Sequence, residues 1–205
     1  MTATPGSKAK LELRQHFRRK RRQITAAQRN AWDRQIHQGL LSLPGLAPGS
    51  CISAFYPFDG EPDLRPALSE LHETGHRVCL PLISKQSGGS LTMHAWHPDL
   101  PLVSGHLGIL EPDAGEAVPL EALDIVLLPL VAWDRCGNRL GMGAGYYDHF
   151  LAPVSGSQQP LRAGVAYALQ ESHELPADAW DVPLHAVLTE QGWTWFDPAL
   201  QGAKI

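Results

Sequence analysis

Segments with two different apolar spacings alternate along this chain, and breaker residues separate them. Apolar positions three or four apart predict helices, and short runs rich in β-branched residues predict strands. The predicted helices cover residues 7–22, 25–43 and 63–74, and the predicted strands or extended segments cover 51–56, 77–83, 91–96, 107–112, 124–132, 161–167 and 185–189. The order strand, helix, strand over 51–83 is typical of a parallel sheet with ligand sites beyond the carboxyl ends of its strands.

Capping and breaker residues predict several boundaries. Ser7 is the expected N-cap of the first helix, and Thr25 with Gln28 forms a capping-box pattern at the start of the second. Gly75 is the expected stop of the third helix. A hairpin turn around Gly192 is expected after the last strand.

The run 124–132 is the most apolar stretch of the chain. Its Val, Ile and Leu content predicts a central strand that is buried on both faces. We expect this strand to deliver Trp133 and Asp134 to the mouth of a ligand site, with Trp133 in contact with the ligand.

Length and composition favour one globular domain. The chain has 205 residues, 43% of them hydrophobic, which suits a single domain over 7–197 with flexible tails at 1–6 and 198–205. It contains no apolar run of membrane-spanning length and no export signal at its polar, basic start. Three widely spaced cysteines fit neither a disulfide framework nor a zinc site. We therefore expect a cytoplasmic protein with no membrane partner.

The net charge of −4 conceals a strong asymmetry. Residues 7–22 hold eight basic side chains and one acid, Glu12, so the rest of the chain carries −11. Lys10 and Arg14 lie four apart on the predicted helix and would project side by side, so both can grip one anion, while Arg18 and Arg22 continue the row toward solvent. A solvated basic face and an RNA-binding helix are the alternatives. Because the body is acidic and no aromatic platform accompanies the helix, we expect no nucleic-acid partner.

Three alternating glycines follow the apolar run. Gly141, Gly143 and Gly145 lack Cβ, so the backbone can adopt positive φ and turn successive N–H groups toward an anion. A helix over 146–151 would add its own N–H groups. Arg139 supplies a charged fork. Asp148 is suited to the metal ion that accompanies a polyphosphate. A glycine-rich connection that binds nothing is the alternative.

The run GNRLGMGAGYYD at 137–148 resembles the glycine-rich signature of the 5-formyltetrahydrofolate cyclo-ligase family. Further pieces match that family in the same order, so the resemblance spans roughly residues 8–192. They are the Lys10 and Arg14 pair, FYPFDGE at 55–61, VCLP at 78–81, GILEP at 108–112, GVAYALQ at 164–170, LPADAWD at 175–181 and AVLTE at 186–190.

The resemblance implies a monomeric enzyme whose substrates are 5-formyltetrahydrofolate and ATP, with Mg²⁺ as cofactor, and whose products are 5,10-methenyltetrahydrofolate, ADP and phosphate. The implied fold is a single-domain three-layer α/β sandwich with a mostly parallel central sheet, similar to sugar-phosphate isomerases and CoA transferases. The implied ATP contacts are Lys10, Arg14, Arg139, Leu140, Gly141, Met142, Gly143, Ala144, Gly145, Tyr146 and Tyr147. The implied folate contacts are Tyr56, Glu61, Met142, Gly143, Ala144, Gly145 and Tyr146, and the implied metal ligands are Asp148 and Asp181.

The chemistry of this reaction needs positioning rather than a protein nucleophile. ATP phosphorylates the formyl oxygen, the N10 amine attacks the activated carbon, and phosphate leaves. Arg139, Tyr146 and Glu61 are the expected catalytic residues: Arg139 on phosphate, Tyr146 at the formyl group, and Glu61 at the pterin or N10. A relative that binds ATP and folate without turnover is the alternative.

Three residues depart from the family pattern. Met142 and Ala144 occupy variable positions of the glycine run, and Trp180 precedes Asp181 where the family commonly has His. A turn or capping role is the alternative for Asp181.

Overall fold

An eight-stranded sheet organises the part of the chain that the computed structural model describes, which is residues 5–84, 90–105, 107–113 and 115–201. The helices are α1 Pro5–Arg22, α2 Ala26–Leu41, α3 Arg65–Glu73 and α4 Tyr146–Leu151. The strands are β1 Cys51–Ser53, β2 Arg77–Ile83, β3 Leu91–Trp96, β4 Leu102–Ser104, β5 Leu110–Pro112, β6 Ala117–Val118, β7 Ile125–Pro129, β8 Ala132–Trp133, β9 Arg139–Leu140, β10 Leu161–Val165, β11 Ala186–Thr189 and β12 Gly192–Trp195.

The sheet has the strand order β12-β11-β10-β7-β1-β2-β3-β6. Its five central strands, from β11 to β2, run parallel, and the pairs toward both edges are antiparallel. β1, α3 and β2 form the predicted crossover unit, with Cys51 opposite Arg77. The prediction of an α/β fold with a mostly parallel sheet is therefore confirmed. β4 with β5 and β8 with β9 form two separate hairpins.

Apolar cores cover both faces of the sheet, as a layered sandwich requires. β7 shows this most clearly, because Ile125 and Leu127 enter the core beneath α2 and α3 while Val126 and Leu128 enter the core beneath α4. All four side chains are inaccessible to solvent. The predicted central strand is thus confirmed, although it ends at Pro129 and the chain then leaves the sheet.

Several predicted boundaries need correction. Ser7 does not cap α1, because the helix already begins at Pro5, whose fixed φ suits a first helical turn. The predicted extended segment 107–112 is a strand only from Leu110, and it pairs back on Leu102–Ser104. The Thr25 capping box is confirmed, with its hydroxyl accepting from the backbone N–H of Gln28.

The ends of the chain also differ from expectation. Residues 5–6 belong to α1 rather than to a tail, while 1–4 lie outside the described residues. Pro198–Leu200 form a 3-10 turn, and Leu200 is buried, so the domain extends past the expected boundary at 197. Residues 202–205 lie outside the described part. Among the described helices, none has the length and apolar character needed to cross a membrane.

A buried arginine attaches α1 to the sheet. Arg21 has no exposed surface, and its Nη1 donates to the carbonyl of Leu130 at 3.2 Å. Its Nη2 lies 3.2 Å from Oδ2 of Asp59, and its Nη1 lies 3.9 Å from Oε1 of Glu61. Because a buried charge is costly unless it is paired, these contacts determine how α1 docks.

Asp59 forms ion pairs with two further arginines of α1. Arg18 Nε donates to it at 2.7 Å and Arg22 Nη2 at 2.5 Å. Asp59 has a φ of +49°, which aspartate tolerates better than most residues. Arg22 projects toward solvent as predicted, with 60% of its side chain exposed, and the side chain of Arg18 is 33% exposed. The sequence did not show that both bind Asp59, in a loop 37 or more residues away.

We predict that replacing Arg21 by Met lowers the free energy of unfolding by about 3 kcal/mol, because Asp59 and Glu61 lose a buried cation. Arg22→Met is the matched control. Arg22 binds the same carboxylate but its side chain is 60% exposed, so its loss should cost less than about 1 kcal/mol. Urea denaturation of the two variants measures the difference, and equal losses would contradict a special role for the buried residue.

Candidate active site

One pocket lies beyond the carboxyl ends of β7, β1 and β2, with a volume of about 560 Å³, a size suited to small-molecule ligands. Every residue that the family resemblance assigned to the site lines it. These are Lys10, Arg14, Tyr56, Glu61, Arg139, Leu140, Gly141, Met142, Gly143, Ala144, Gly145, Tyr146, Tyr147, Asp148 and Asp181. Residues separated by more than 170 positions in the sequence thus share one cavity, while their individual roles stay predictions.

The glycine loop, residues 141–145, connects β9 to α4. Gly143 and Gly145 have φ values of +108° and +71°, so the positive-φ conformations fall on glycines and not on Ala144. A Cβ added to Gly143 would also lie 3.2 Å from Cζ of Arg14. Glycine at 143 therefore lets the N-terminal helix approach the loop closely, and Arg14 Nε donates to the carbonyl of Gly141 at 2.8 Å.

Ion pairs link α1 to the segment 175–181. Lys10 Nζ lies 2.7 Å from Oδ2 of Asp178 and 2.8 Å from Oδ2 of Asp181. Burial lowers the pKa of Lys10, but the two carboxylates outweigh this and raise it, so the side chain stays charged. Lys10 and Arg14 thus have different protein acceptors in this structure, although both face the pocket.

Arg139 and Asp148 form a second ion pair in the pocket, with Nη2 donating to Oδ1 at 2.6 Å. The backbone N–H of Val182 donates to the same Oδ1 at 3.2 Å. Asp148 therefore contacts the residue that directly follows Asp181. Helix α4, which carries Asp148, begins at Tyr146 as predicted and follows the left-handed Gly145. The glycine turn therefore positions Asp148.

Asp148 and Asp181 fit a magnesium ion that is shared with phosphate groups. The described residues contain no group of three or more metal-binding side chains. However, Mg²⁺ is commonly held by one or two carboxylates together with substrate phosphates. The side-chain hydrogen bonds of Asp148 fall on Oδ1 and those of Asp181 on Oδ2, which leaves one oxygen of each for a cation.

Two buried donors of the pocket lack an acceptor within the described residues. They are Nε of Arg139 and the hydroxyl of Tyr147. Burial lowers the pKa of Arg139, an effect that Asp148 opposes, and an arginine guanidinium stays protonated in proteins. Burial raises the pKa of Tyr147, so its hydroxyl keeps its proton. An unpaired buried donor costs free energy. A ligand oxygen between these two residues would remove that cost.

Glu61 is a buried carboxylate that lines the pocket. Its side chain is 7% exposed, and its Oε2 accepts the backbone N–H of Phe58 at 3.0 Å. Burial raises the pKa of Glu61 to about 7, and the nearby Arg21 guanidinium limits the rise. Glu61 can therefore gain or lose a proton near neutral pH, which suits a group that handles protons.

Two predicted mouth residues do not line the pocket. Trp133 is 2% exposed and packs against Phe196, with ring centroids 6.1 Å apart. Asp134 is buried, and its carboxylate accepts backbone N–H groups of Cys136 and Leu175. Both predictions are wrong, because β7 ends at Pro129 and the following hairpin carries these residues away from the cavity.

Sequence reasoning also missed part of the pocket lining. Asp178 is the second partner of Lys10 and lines the pocket. The signal that could have identified Asp178 is its position in the segment 175–181, which matches the family. Pro81, Ile83 and Leu91 form an apolar wall. No sequence signal separated them from core residues.

Comparison with known proteins gives a consistent set of similarities. A model of the 5-formyltetrahydrofolate cyclo-ligase family matches residues 6–190. The chain is 37% identical to the 5-formyltetrahydrofolate cyclo-ligase of Escherichia coli K12 over 87% of this chain and 100% of that protein. It is 33% identical to the Haemophilus influenzae enzyme of the same name over 86% and 95%. The 5,10-methenyltetrahydrofolate synthetase of Aquifex aeolicus superposes with a TM-score of 0.77 at 32% identity, over 91% and 92% of the two chains.

The elevated pKa of Glu61 makes stability depend on pH. The unfolded chain releases this proton near the ordinary carboxyl pKa of 4.5, whereas the folded protein keeps it until about pH 7. Between these values the folded state binds more protons, so stability falls as the pH rises and then levels off. Relative to Glu61→Gln, which cannot titrate, we expect the wild type to lose roughly 2 to 3 kcal/mol between pH 5 and 8. Urea denaturation across this range tests it, and parallel profiles would contradict it.

Proposed function

The chain belongs to the 5-formyltetrahydrofolate cyclo-ligase family, and we propose that the pocket described above carries out the family's reaction. That reaction is the ATP-dependent conversion of 5-formyltetrahydrofolate to 5,10-methenyltetrahydrofolate, with release of ADP and phosphate. The supporting observation is that one cavity has two kinds of lining. Lys10, Arg14, Arg139 and the glycine loop form a basic part, here called the basic end, and the remaining lining includes apolar side chains and the buried carboxylates of Glu61 and Glu111. A phosphate chain and a pterin ring would meet between them.

The basic end suits the phosphates of ATP. The backbone N–H groups of the glycine loop and the guanidinium groups of Arg14 and Arg139 are donors that match phosphate oxygens. Lys10 lies on Asp178 and Asp181 at the same end, and its compact ammonium can exchange these carboxylates for a phosphate. These contacts would hold the γ-phosphate at the boundary with the folate end.

In the first step the formyl oxygen attacks the γ-phosphorus, the bond to the β-phosphate oxygen breaks, and ADP leaves. Such phosphoryl transfer depends on alignment and on donors aimed at the equatorial oxygens. Arg139 Nε and the Tyr147 hydroxyl are buried donors of the pocket without acceptors among the described residues. We assign them to the transferring phosphoryl group, and we assign Tyr146, which lines the cavity beside them, to the formyl group.

In the second step the N10 amine attacks the activated formyl carbon. Its nitrogen then loses a proton, the carbon–oxygen bond breaks, and phosphate leaves with that oxygen. Glu61 is suited to accept the N10 proton, because its pKa of about 7 lets the ionised form act at neutral pH. Tyr56 lines the same side of the pocket, where it would contact the folate.

Asp148 and Asp181 would hold Mg²⁺ together with the nucleotide. The ion would supply charge neutralisation for the phosphate oxygens. Asp148 is already oriented by Arg139 and by the backbone N–H of Val182, and Asp181 is oriented by Lys10. This pair of carboxylates is the part of the site that we assign to the metal.

RNA binding has less support than the charge pattern suggested. Arg18, Arg21 and Arg22, three of the eight basic residues of 7–22, are already paired with Asp59.

We further propose a reducing, cytoplasmic setting, because the described cysteines are free and the Sγ atoms of Cys51 and Cys79 lie 3.7 Å apart as thiols. The monomeric state stays a prediction.

The central test of the proposed function is whether the protein forms the methenyl product from 5-formyltetrahydrofolate, ATP and Mg²⁺. The near-ultraviolet absorbance of that product measures the rate. We expect Arg139→Ala to reduce kcat by roughly 100- to 1000-fold, because a phosphate donor is lost. Arg135→Ala is the control: Arg135 lies four residues away on the surface and pairs with Glu171, so its loss should leave kcat unchanged. Absence of product from micromolar wild-type enzyme would refute the function, and a wild-type rate for Arg139→Ala would refute the residue assignment.

The metal assignment predicts a change in the magnesium requirement. Asp148→Asn and Asp181→Asn should each raise the Mg²⁺ concentration for half-maximal rate by roughly tenfold or more, because a carboxylate ligand is lost. Asp99→Asn, at an exposed acid outside the pocket, should leave it unchanged. A Mg²⁺ titration of the rate at saturating ATP and folate compares the three variants. If all three follow the wild-type curve, these carboxylates do not bind the ion.

A further inference from the structure

The β4–β5 hairpin forms part of the pocket wall beside β2. β5 packs beside β2, and Leu107, Ile109 and Glu111 of the hairpin line the cavity. Glu111 is the acid of this group. Its side chain is buried, with 6% of the residue exposed, whereas its neighbour Leu110 points outward and is 37% exposed. The strand therefore directs a carboxylate into the pocket and an apolar side chain toward solvent.

Glu111 and Glu61 follow different strands of the sheet. Along the edge that bears the pocket, β1 leads to Glu61, and β2 ends at Ile83 beside the hairpin that carries Glu111. Neighbouring strands are about 4.8 Å apart, so one flat ligand that spans β1 and β2 can reach both carboxylates.

Gly105 provides the space that the Glu111 carboxylate occupies. A Cβ added to Gly105 would lie 2.2 Å from Cδ of Glu111 and 2.4 Å from its Oε1. The backbone N–H of Gly105 donates to the carbonyl of Ile109 at 2.8 Å, and this hydrogen bond closes the hairpin. The absence of a side chain at 105 thus fixes where the carboxylate lies, and any larger residue would displace it.

The surroundings of Glu111 indicate what kind of ligand it recognises. Ile83, Leu91, Leu107 and Ile109 line the same pocket, and a flat heterocycle fits such apolar walls. A carboxylate in an apolar pocket binds adjacent N–H donors in a two-point contact, since each oxygen accepts one hydrogen bond and the charge strengthens both. The 2-amino-4-oxo pterin ring of 5-formyltetrahydrofolate carries such a pair, its 2-amino group and N3–H.

We propose that Glu111 is the specificity residue that binds the 2-amino group and N3–H of the pterin ring. This assignment rests on the proposed function, because it takes 5-formyltetrahydrofolate as the substrate. It also gives two buried carboxylates different roles. Glu61 contacts the Arg21 guanidinium, which binds the carbonyl of Leu130 just beyond β7, and we assign Glu61 to N10. Glu111 lies on β5, beside β2, and we assign it to the position of the ring.

Steady-state kinetics of Glu111→Gln provide the first test. The amide keeps the shape but replaces one acceptor by a donor, so the KM for 5-formyltetrahydrofolate should rise roughly 10- to 100-fold while the KM for ATP stays within about twofold. Glu116→Gln is the control, because Glu116 is 77% exposed and pairs with Arg77 outside the pocket. An unchanged folate KM in Glu111→Gln overturns the proposal, and an inactive wild type refutes the proposed function instead.

A substrate analogue separates recognition from a structural role. The probe is 5-formyltetrahydrofolate with hydrogen in place of the 2-amino group. Wild-type enzyme and Glu116→Gln should use it with kcat/KM lowered roughly 10- to 100-fold, whereas Glu111→Gln should distinguish the two substrates by less than about threefold. If Glu111→Gln discriminates as the wild type does, Glu111 only supports the hairpin and the proposal fails.

Gly105→Ala provides an independent variant should Glu111→Gln not fold. The added methyl group must displace the carboxylate, so this variant should also show a raised folate KM and weakened discrimination against the analogue. Gly156→Ala is its control, because a Cβ there meets no atom within 4 Å. Undiminished discrimination in folded Gly105→Ala would overturn the assignment.

Discussion

The burial of the Arg21 guanidinium is the interaction on which the site depends. A fully buried cation must be paired, and Arg21 is paired with Asp59 and with the carbonyl of Leu130, just beyond β7. These contacts bind the N-terminal helix to the loop after β1 and to the end of the central strand. As a result Arg14, on the same helix, reaches the glycine loop, and Lys10 reaches Asp178 and Asp181. Glu61 enters the pocket beside Arg21.

The same contacts explain the uneven charge of the chain. The segment 7–22 carries +7 and the rest of the chain −11, which suggests that the segment binds an acidic partner. Acidic residues of the protein itself pair with several of these basic side chains. Asp59 takes three arginines, and Asp178 and Asp181 take Lys10. The proposed exchange of Lys10 from carboxylate to phosphate would use a pairing that is already formed, which keeps the basic end assembled before ATP arrives.

The pocket combines two recognition problems in one cavity. Flexible, strongly charged phosphates meet a loop with positive-φ glycines and three basic side chains, whereas the flat folate ring meets apolar walls and buried carboxylates. Glu61, with a pKa of about 7, is one of these carboxylates. In the proposed mechanism the protein aligns two substrates and supplies donors and a proton acceptor, and no side chain forms a covalent intermediate.

The sequence by itself determined the order and type of most elements, the family, and the residues of the pocket, because these depend on local periodicity and on motifs such as the glycine run. It failed for Trp133 and Asp134, which follow a correctly identified strand but turn into the core. It also gave no sign that Arg18 and Arg22 bind Asp59, and it did not single out Glu111. Asp59 lies 37 or more residues from those arginines, and Gly105, in the hairpin that carries Glu111, leaves the space for its carboxylate. Only the tertiary structure brings such partners together.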